Sequence, residues 1–556
     1  MQVLIGISRQ RAYSIPTLPT TLCRLLALLA CLQATASAAP ARRKKPPVPA
    51  QGLVISSIVI ETHNVFDTDD PRDDKLVYRA ANRFHRTTRD QVISRELLFA
   101  EGDRYDQALV EESARNLRAL PFIRDAAAAA TVNKKGTVDV VMRTYDSWTL
   151  EVLASFKRAG GSTNLKAGLS EHNVLGSGKA GSASYNRDGK AGTQSLGFKD
   201  PQFFNRKRLQ VSLTALTAPG AQDFELGVDR PFTSLSPSAF GGKLSHQKGD
   251  FSTAANPTPA DMLTRKVSEG GINYGIALAT STQRTRRVRM GLMARRADFR
   301  PIPGQTAGPI PSREQATFLQ LGADWEELDF ITVRRIQKFT RTEDYNLGLA
   351  VFPELAWAPP SSALGTTETQ ILPKVVVRKG FVRSNQLILL SSAYSSRYVN
   401  GGNGHRLASF EASYFVRGLK YQTLAFHTGL DLGRRLDSTQ PLALGEVNGL
   451  RGYGLDAFKG DRRFLFNIED RIFIYDEMLR LLDVGAVVFY DSGYVWPSSR
   501  SVKLSELRNS VGLGLRLAPS RSAGNDPVRV DLAYALNDNR SRSRWSLSIL
   551  AGQAFK

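Results

Sequence analysis

From residue 147 to residue 556 apolar and polar side chains alternate with a period of two. In VRVDLAYAL, Val528, Val530, Leu532, Tyr534 and Leu536 share one face, and Arg529 and Asp531 share the other. In SVGLGLRLA, Val511, Leu513, Leu515 and Leu517 point one way, whereas Ser510, Gly512, Gly514 and Arg516 point the other. RWSLSILAGQAF puts Trp545, Leu547, Ile549, Ala551, Gln553 and Phe555 on one face. Such alternation marks strands with one apolar face. A soluble β-sandwich has the same period. What separates the two here is the polar face, where Arg, Asp and Glu sit inside otherwise apolar strands, as a wet lumen requires. Tyr494, Trp496, Trp545 and Phe555 recur near strand ends, as in an interfacial aromatic girdle. The expected fold is mainly β, with a transmembrane antiparallel β-barrel over residues 147–556. At about 25 residues for a strand and its connection, roughly sixteen strands fit. Polar stretches at 249–268, 300–315 and 358–369 read as surface loops.

A chain of 556 residues is too long for one small domain. No run of 18 apolar residues follows the N-terminus, which excludes a helical membrane protein. The net charge of +22 raises nucleic acid as a partner. However, the only dense basic cluster is Arg42, Arg43, Lys44 and Lys45, and no basic stripe interleaves with aromatics. No nucleic-acid partner is therefore expected. Scattered Arg and Lys suit a surface of anionic headgroups better.

Arg9, Arg11 and Arg24 precede or flank the short apolar run LLALLACL, and small-residue cleavage sites follow at 34–36 and 36–38. Residues 1–38 read as a secretory signal peptide. LLAC also offers Cys31 as a lipidation site, the competing reading. The two cysteines, Cys23 and Cys31, both lie in this segment. The exported chain is then free of disulfides and thiolate metal sites. Residues 39–52 form a basic, proline-rich linker, extended by composition.

Residues 53–146 change character. LVISSIVIETHNVF reads as a strand. TTRDQVISRELLF reads as a helix capped by Thr87 or Thr88, and EGDRYDQALVEESARNLRALPF as a second helix capped by Asp106. DAAAAATVNK and TVDVVMRTYD close the unit as two strands turning at Asn133–Gly136. The order β-α-α-β-β is a small α/β domain.

One arginine stands out. Arg451 lies between glycines in GLRGY, and Asp491 ends a strand-like run in FYDSGY. Glycines beside a cation let the backbone carry it where an ordinary loop does not go. A confined guanidinium requires an anion. Asn467, Glu469 and Arg471 share one strand face, so Glu469 is a second acceptor for Arg451 or a partner for Arg471.

Several of these segments resemble the Omp85 family of bacterial outer-membrane proteins (the surface-antigen D15 group). ELLFAEGDRYD (96–106) and EESARNLRALPFI (111–123) resemble its periplasmic POTRA domain. GLRGY (449–453) resembles its loop-six motif, usually VRGF or VRGY, with Leu450 in place of valine. FLFNIEDR (464–471) resembles the following strand, and FYDSGYVW (489–496) the F-x-D-x-G strand motif. GLSEHNVLGSGK (168–179) resembles the E-x-N-x-x-G-x-G pattern, and DRPF (229–232) another strand start. The resemblance implies a loop-six latch of Gly449, Arg451, Gly452 and Tyr453. It also implies partners Asp491 and Glu469 in the barrel wall, a barrel motif of Phe489, Gly493 and Arg471, and a last strand ending at Phe555. It implies an outer-membrane translocator or insertase with one POTRA in the periplasm. Its partners would be unfolded client polypeptides, outer-membrane lipid and lipopolysaccharide, and accessory periplasmic proteins. Better-known members carry several POTRA domains, so a dedicated or accessory role is implied.

No enzymatic motif is present. The six histidines lack metal spacing, and no GxSxG elbow or phosphate loop stands out. No cofactor or metal is expected. The alternatives are a passive channel or surface adhesin on the same barrel and, more remotely, a barrel esterase using His427 with Ser409 or Ser413 on its outer face.

Overall fold

The computed structural model describes residues 50–159, 162–188, 191–252, 262–302, 310, 313–436, 441–501, 503–523, 526–537 and 544–555. The signal-peptide reading, most of the linker, Cys23 and Cys31 lie outside these residues.

The N-terminal unit runs β1 (Ile55–His63), α1 (Leu76–Phe84), α2 (Asp90–Ser94), α3 (Gln107–Arg118), β2 (Ile123–Val132) and β3 (Val138–Asp146). β3 is central, parallel to β1 and antiparallel to β2. Its Val138, Val140 and Met142 alternate into the core. Both β1 and β2 are therefore edges. Asp106 caps α3 by accepting from the Ala108 N–H at 2.9 Å. Three helices stand where the sequence reading has two. α1 is the addition. It buries Tyr78 and packs Ala81 on the core, but Leu76, Val77 and Phe84 face away, so its hydrophobic pattern does not mark a core-side stripe. Thr88 does not cap α2. Its N–H and hydroxyl instead bond Asp146, at 2.7 and 2.9 Å.

The rest of the chain closes into one antiparallel barrel. Six short strands come first: β4 (Leu150–Ala159), β5 (Ser162–Glu171), β6 (Ala180–Asp188), β7 (Ala191–Asp200), β8 (Gln210–Ala218) and β9 (Ala221–Arg230). Longer ones follow: β10 (Ser238–Ser252), β11 (Met262–Thr280), β12 (Arg284–Pro301) and β13 (Glu314–Glu327). An insert then carries a hairpin of β14 (Phe330–Val333) and β15 (Glu343–Asn346). The wall resumes with β16 (Ala350–Ala358), β17 (Gln370–Arg383), β18 (Gln386–Val399), β19 (Gly402–Val416) and β20 (Gln422–Arg434). A long loop holds the ribbon β21 (Leu442–Leu444) and β22 (Phe458–Gly460). β23 (Arg462–Met478), β24 (Leu482–Trp496), β25 (Arg508–Pro519), β26 (Val528–Ala535) and β27 (Trp545–Ala551) complete the wall, and β27 lies next to β4.

The barrel has twenty strands, not sixteen. The early hairpins explain the difference, because six strands of nine or ten residues fit between 150 and 230. One loop reading and one strand reading also shift. β10 and β11 extend to Ser252 and Met262, and DRPF ends β9 rather than starting a strand. The outer surface is apolar: Leu513, Leu515, Leu532, Leu547 and Ile549 are exposed.

The N-terminal unit sits across one mouth of the barrel, called here the near end. Asn173 donates to the Thr88 hydroxyl at 2.9 Å, and Ser234 donates to Glu112 at 2.5 Å. Arg118 forks onto Asp344 at 2.8 Å through two nitrogens. Tyr78 donates to the Leu479 carbonyl at 2.6 Å, and Arg521 to that of Val65 at 2.6 Å. These partners lie in near-end turns and in the 328–349 insert, so the unit is clasped around the rim.

Candidate functional site

The loop between β20 and β23 folds into the lumen. Gly449 and Gly452 have φ of +98° and +87°, a left-handed backbone that glycine adopts without strain. Between them Leu450 and Arg451 are fully buried. A Cβ on Gly449 would sit 2.5 Å from Leu465, so this turn also needs the missing side chain. Leu450 and Tyr453 pack with Leu444, Leu465 and Ala535. Tyr453 donates to the Asn509 carbonyl at 2.9 Å and lies 2.8 Å from Asn537 Oδ1.

Alternation along β23 and β24 puts the acceptors on the lumen face. Arg451 Nε and Nη2 donate to the two oxygens of Asp491 at 2.8 and 2.7 Å. Its backbone N–H reaches the same carboxylate at 3.2 Å, and Nη1 donates to Glu469 at 2.7 Å. The guanidinium lies 3.5 Å above the centre of the Phe489 ring. Asn467 donates to both Asp491 and the Gly449 carbonyl at 2.7 Å, which ties wall and loop together. A bidentate fork, further charge-assisted bonds and a stacked ring hold one buried cation.

The cluster extends beyond the expected partners. Asp531 on β26 lies 3.7 Å from Arg451 Nη1 and accepts from Arg516 Nη1 at 2.5 Å. Arg529 stands 3.8 Å from Asp531. Two glycines make the space. A Cβ on Gly512 would lie 2.3 Å from the Phe489 ring, and one on Gly514 would lie 2.1 Å from Asp531. The alternation on β25 and β26 already placed Gly512, Gly514, Arg516, Arg529 and Asp531 on one polar face. Only the register, Phe489 opposite Gly512 and Gly514 opposite Asp531, joins them to the latch. Gly493 plays a similar part, its open space being filled by Leu444 of the loop.

Glu469 also accepts from Arg471 at 2.8 Å, so it bridges the two arginines instead of choosing one. Arg471 then donates to the carbonyl of Ile336, in the 328–349 insert, and lies 3.4 Å from that of Phe555. Phe555 does not end the last strand. The chain leaves β27 at Gly552, φ +84°, and turns inward. Phe555 lies 4.8 Å from the Arg471 guanidinium and stacks on His427 at 5.2 Å. It packs with Val333, Ile336, Leu347, Leu387, Phe415 and Ala425. The aromatic girdle is corrected with it. Tyr494 and Trp496 are buried and stacked on each other, and of the four residues only Trp545 is exposed.

The insert blocks the near end of the lumen. Glu343 accepts three backbone N–H groups, from Ile336, Gln337 and Lys338, at 2.9–3.2 Å, and the Tyr345 hydroxyl at 2.9 Å. Burial raises its carboxyl above the ordinary value, partly opposed by those bonds. Burial also holds Arg341 down to about 10. Arg341 donates to the Ser147 hydroxyl at 2.9 Å and to the Ser522 carbonyl.

The Ser413 hydroxyl meets His427 Nδ1 at 3.1 Å, but on the lumen face, beneath Phe555. Ser409 donates to Asp431 at 2.6 Å. The outer-face arrangement expected for an esterase is thus not the one formed. Among the described residues no group of His, Cys, Asp and Glu is arranged to hold a metal.

No family model and no curated protein matches the sequence. Solved structures similar to the chain include BamA from Haemophilus ducreyi lacking POTRA domains 1-3, at 12% identity and TM-score 0.37, covering 89% of this chain and 84% of that one. CdiB from Acinetobacter baumannii is 11% identical with TM-score 0.41, covering 95% and 96%. CdiB from Escherichia coli is 12% identical with TM-score 0.41, over the same shares. Likenesses of this size leave the function to be argued from the chain's own geometry.

Proposed function

We propose that this chain is an outer-membrane translocator or insertase of Omp85 type, with its near end in the periplasm. The carrying observation is an apolar-walled barrel whose lumen is filled from within and whose near mouth is covered by a unit with free strand edges. An outer face of Leu, Ile and Val suits hydrocarbon, and a closed barrel leaves no open sheet edge to lipid. A passive channel needs an open lumen. This one holds the latch loop, the 328–349 insert and the C-terminal tail, joined through Asp491, Arg451, Glu469 and Arg471.

The client site we assign is the free edge of β2. Ala127, Ala128 and Ala129 are exposed there, and no charge, proline or bulge interrupts Ala127–Ala130; at Ala126 the edge is already closed, its carbonyl accepting from Arg118 at 2.7 Å and its N–H donating to Asp125 at 2.9 Å. Natural edges usually carry such blocks against pairing. A flat alanine edge accepts an extended chain by backbone hydrogen bonds with little side-chain selectivity. No chemical step is involved. Client folding and burial of apolar surface supply the free energy.

A photoreactive residue at Ala128 in cells tests this. Extended outer-membrane or secreted polypeptides should be captured there in preference to the same probe at Lys135, in the β2–β3 turn. Equal capture at both positions overturns the assignment.

A further inference from the structure

Helix α1 turns its apolar side away from the protein. At 3.6 residues per turn, Leu76, Val77, Ala80 and Phe84 share one sector. The core takes the opposite sector. Tyr78 is buried and stacks on Phe66 at 4.5 Å, and Asn82 donates to the Phe66 carbonyl at 2.7 Å. Leu76, Val77 and Phe84 are 78%, 62% and 83% exposed. Lys75 and Arg83, both exposed, border this apolar sector, as does Arg79, which pairs with Asp74 at 2.6 Å. Three large bare apolar side chains on nine residues form a patch that a soluble surface avoids.

The position of the helix identifies the occupant. Its inner face is fastened to the turn between β23 and β24. Tyr78 bonds the Leu479 carbonyl, and Arg480 lies 3.2 Å from Asp70 and also pairs with Asp73. Around this turn Tyr475, Leu479 and Leu481 are exposed, and Ile474 and Val488 continue the apolar outer wall above them. The bare sector thus adjoins the place where the barrel's lipid-facing band ends, and its flanking cations suit anionic headgroups.

We propose that α1 is an interfacial anchor. Leu76, Val77 and Phe84 enter the headgroup–acyl boundary of the near leaflet, and Lys75 and Arg83 meet anionic phospholipid. This rests on the reading that the barrel spans a membrane. The anchor holds the N-terminal unit at a fixed tilt against the bilayer.

The test uses the full chain with Cys23→Ser and Cys31→Ser, which removes its only cysteines. Phe84→Cys, Leu513→Cys and Lys135→Cys are each labelled with an environment-sensitive fluorophore. The proteins are reconstituted in phosphatidylethanolamine–phosphatidylglycerol vesicles containing doxyl-labelled lipid. A label at 513 should be quenched and one at 135 should not. A label at 84 should lose fluorescence, more with the doxyl group near the head of the acyl chain than near its end. It should lose less when phosphatidylglycerol is omitted. Quenching at 513 but none at 84 overturns the anchor and leaves the barrel reading standing. No quenching at 513 removes the membrane-spanning reading, and the anchor with it. Quenching at 84 that tracks protein concentration instead of lipid composition assigns the patch to a second copy and also overturns the proposal.

Discussion

Arg451 is enclosed on every side: two oxygens of Asp491, one of Glu469, the Phe489 ring, and Asp531 beyond hydrogen-bond distance. Its removal leaves carboxylates without their cation in a site that excludes water. Arg451→Ala should therefore destabilise the folded barrel by about 3–5 kcal/mol. The readout is the temperature at which the barrel loses its compact form on a semi-native gel. An unchanged temperature would show that the latch contributes nothing to stability. Glu343 offers a pH test outside the wall strands. Burial raises its folded pKa above the ordinary 4.5, so the folded state binds the proton at higher pH than the unfolded chain does. Between the two values the folded state holds more protons, and stability falls as pH rises through that window. Glu343→Gln should flatten this part of a thermal-midpoint-against-pH curve. The pairing of Arg451 with Asp491 was legible because glycine-flanked arginine and strand-borne aspartate are both local signals. The parts played by Asp531, Arg516, Gly512 and Gly514 were not, because they depend on which residues lie opposite one another across β24, β25 and β26.

Among the elements, the strands nearest the C-terminus were the easiest to read, since their outer residues are uniformly apolar and their inner ones polar. Strand number was harder. The β4–β9 hairpins are built from Ser, Thr, Gly and Ala, and their alternation is weak. α1 escaped notice because sequence reading looks for helices that bury their apolar stripe. The tail misled for a related reason. Alternation from Trp545 to Phe555 continues past Gly552, although the backbone has already turned inward. Gln553 bonds the insert through the Gln337 carbonyl at 3.2 Å, and Phe555 fills the pocket between His427 and Arg471. Deleting residues 552–556 should leave the β27 wall intact and open the near end. In planar bilayers the truncated protein should show frequent large-conductance openings where the full chain is mostly closed. Equal conductance would mean that the tail does not occlude the lumen.

At the scale of the molecule, loop, insert and tail arrive from different parts of the chain and meet along the inner face of β23. Moving any one of them disturbs the carboxylate of Glu469, which touches the arginines that bind the other two. The N-terminal unit grips the same insert through Arg118 and Asp344, so a force on the unit is passed to the plug. The cluster also carries an unbalanced charge. Among the described residues of the cluster, four guanidiniums, those of Arg451, Arg471, Arg516 and Arg529, share three carboxylates, those of Glu469, Asp491 and Asp531, which leaves it one positive charge in excess. A passage lined this way favours small anions over small cations. Whenever the plug yields, chloride should cross ahead of potassium, and the reversal potential of the truncated protein in a KCl gradient should lie on the anion side of zero. Transport through this barrel would thus announce itself electrically, as a brief chloride current accompanying each opening.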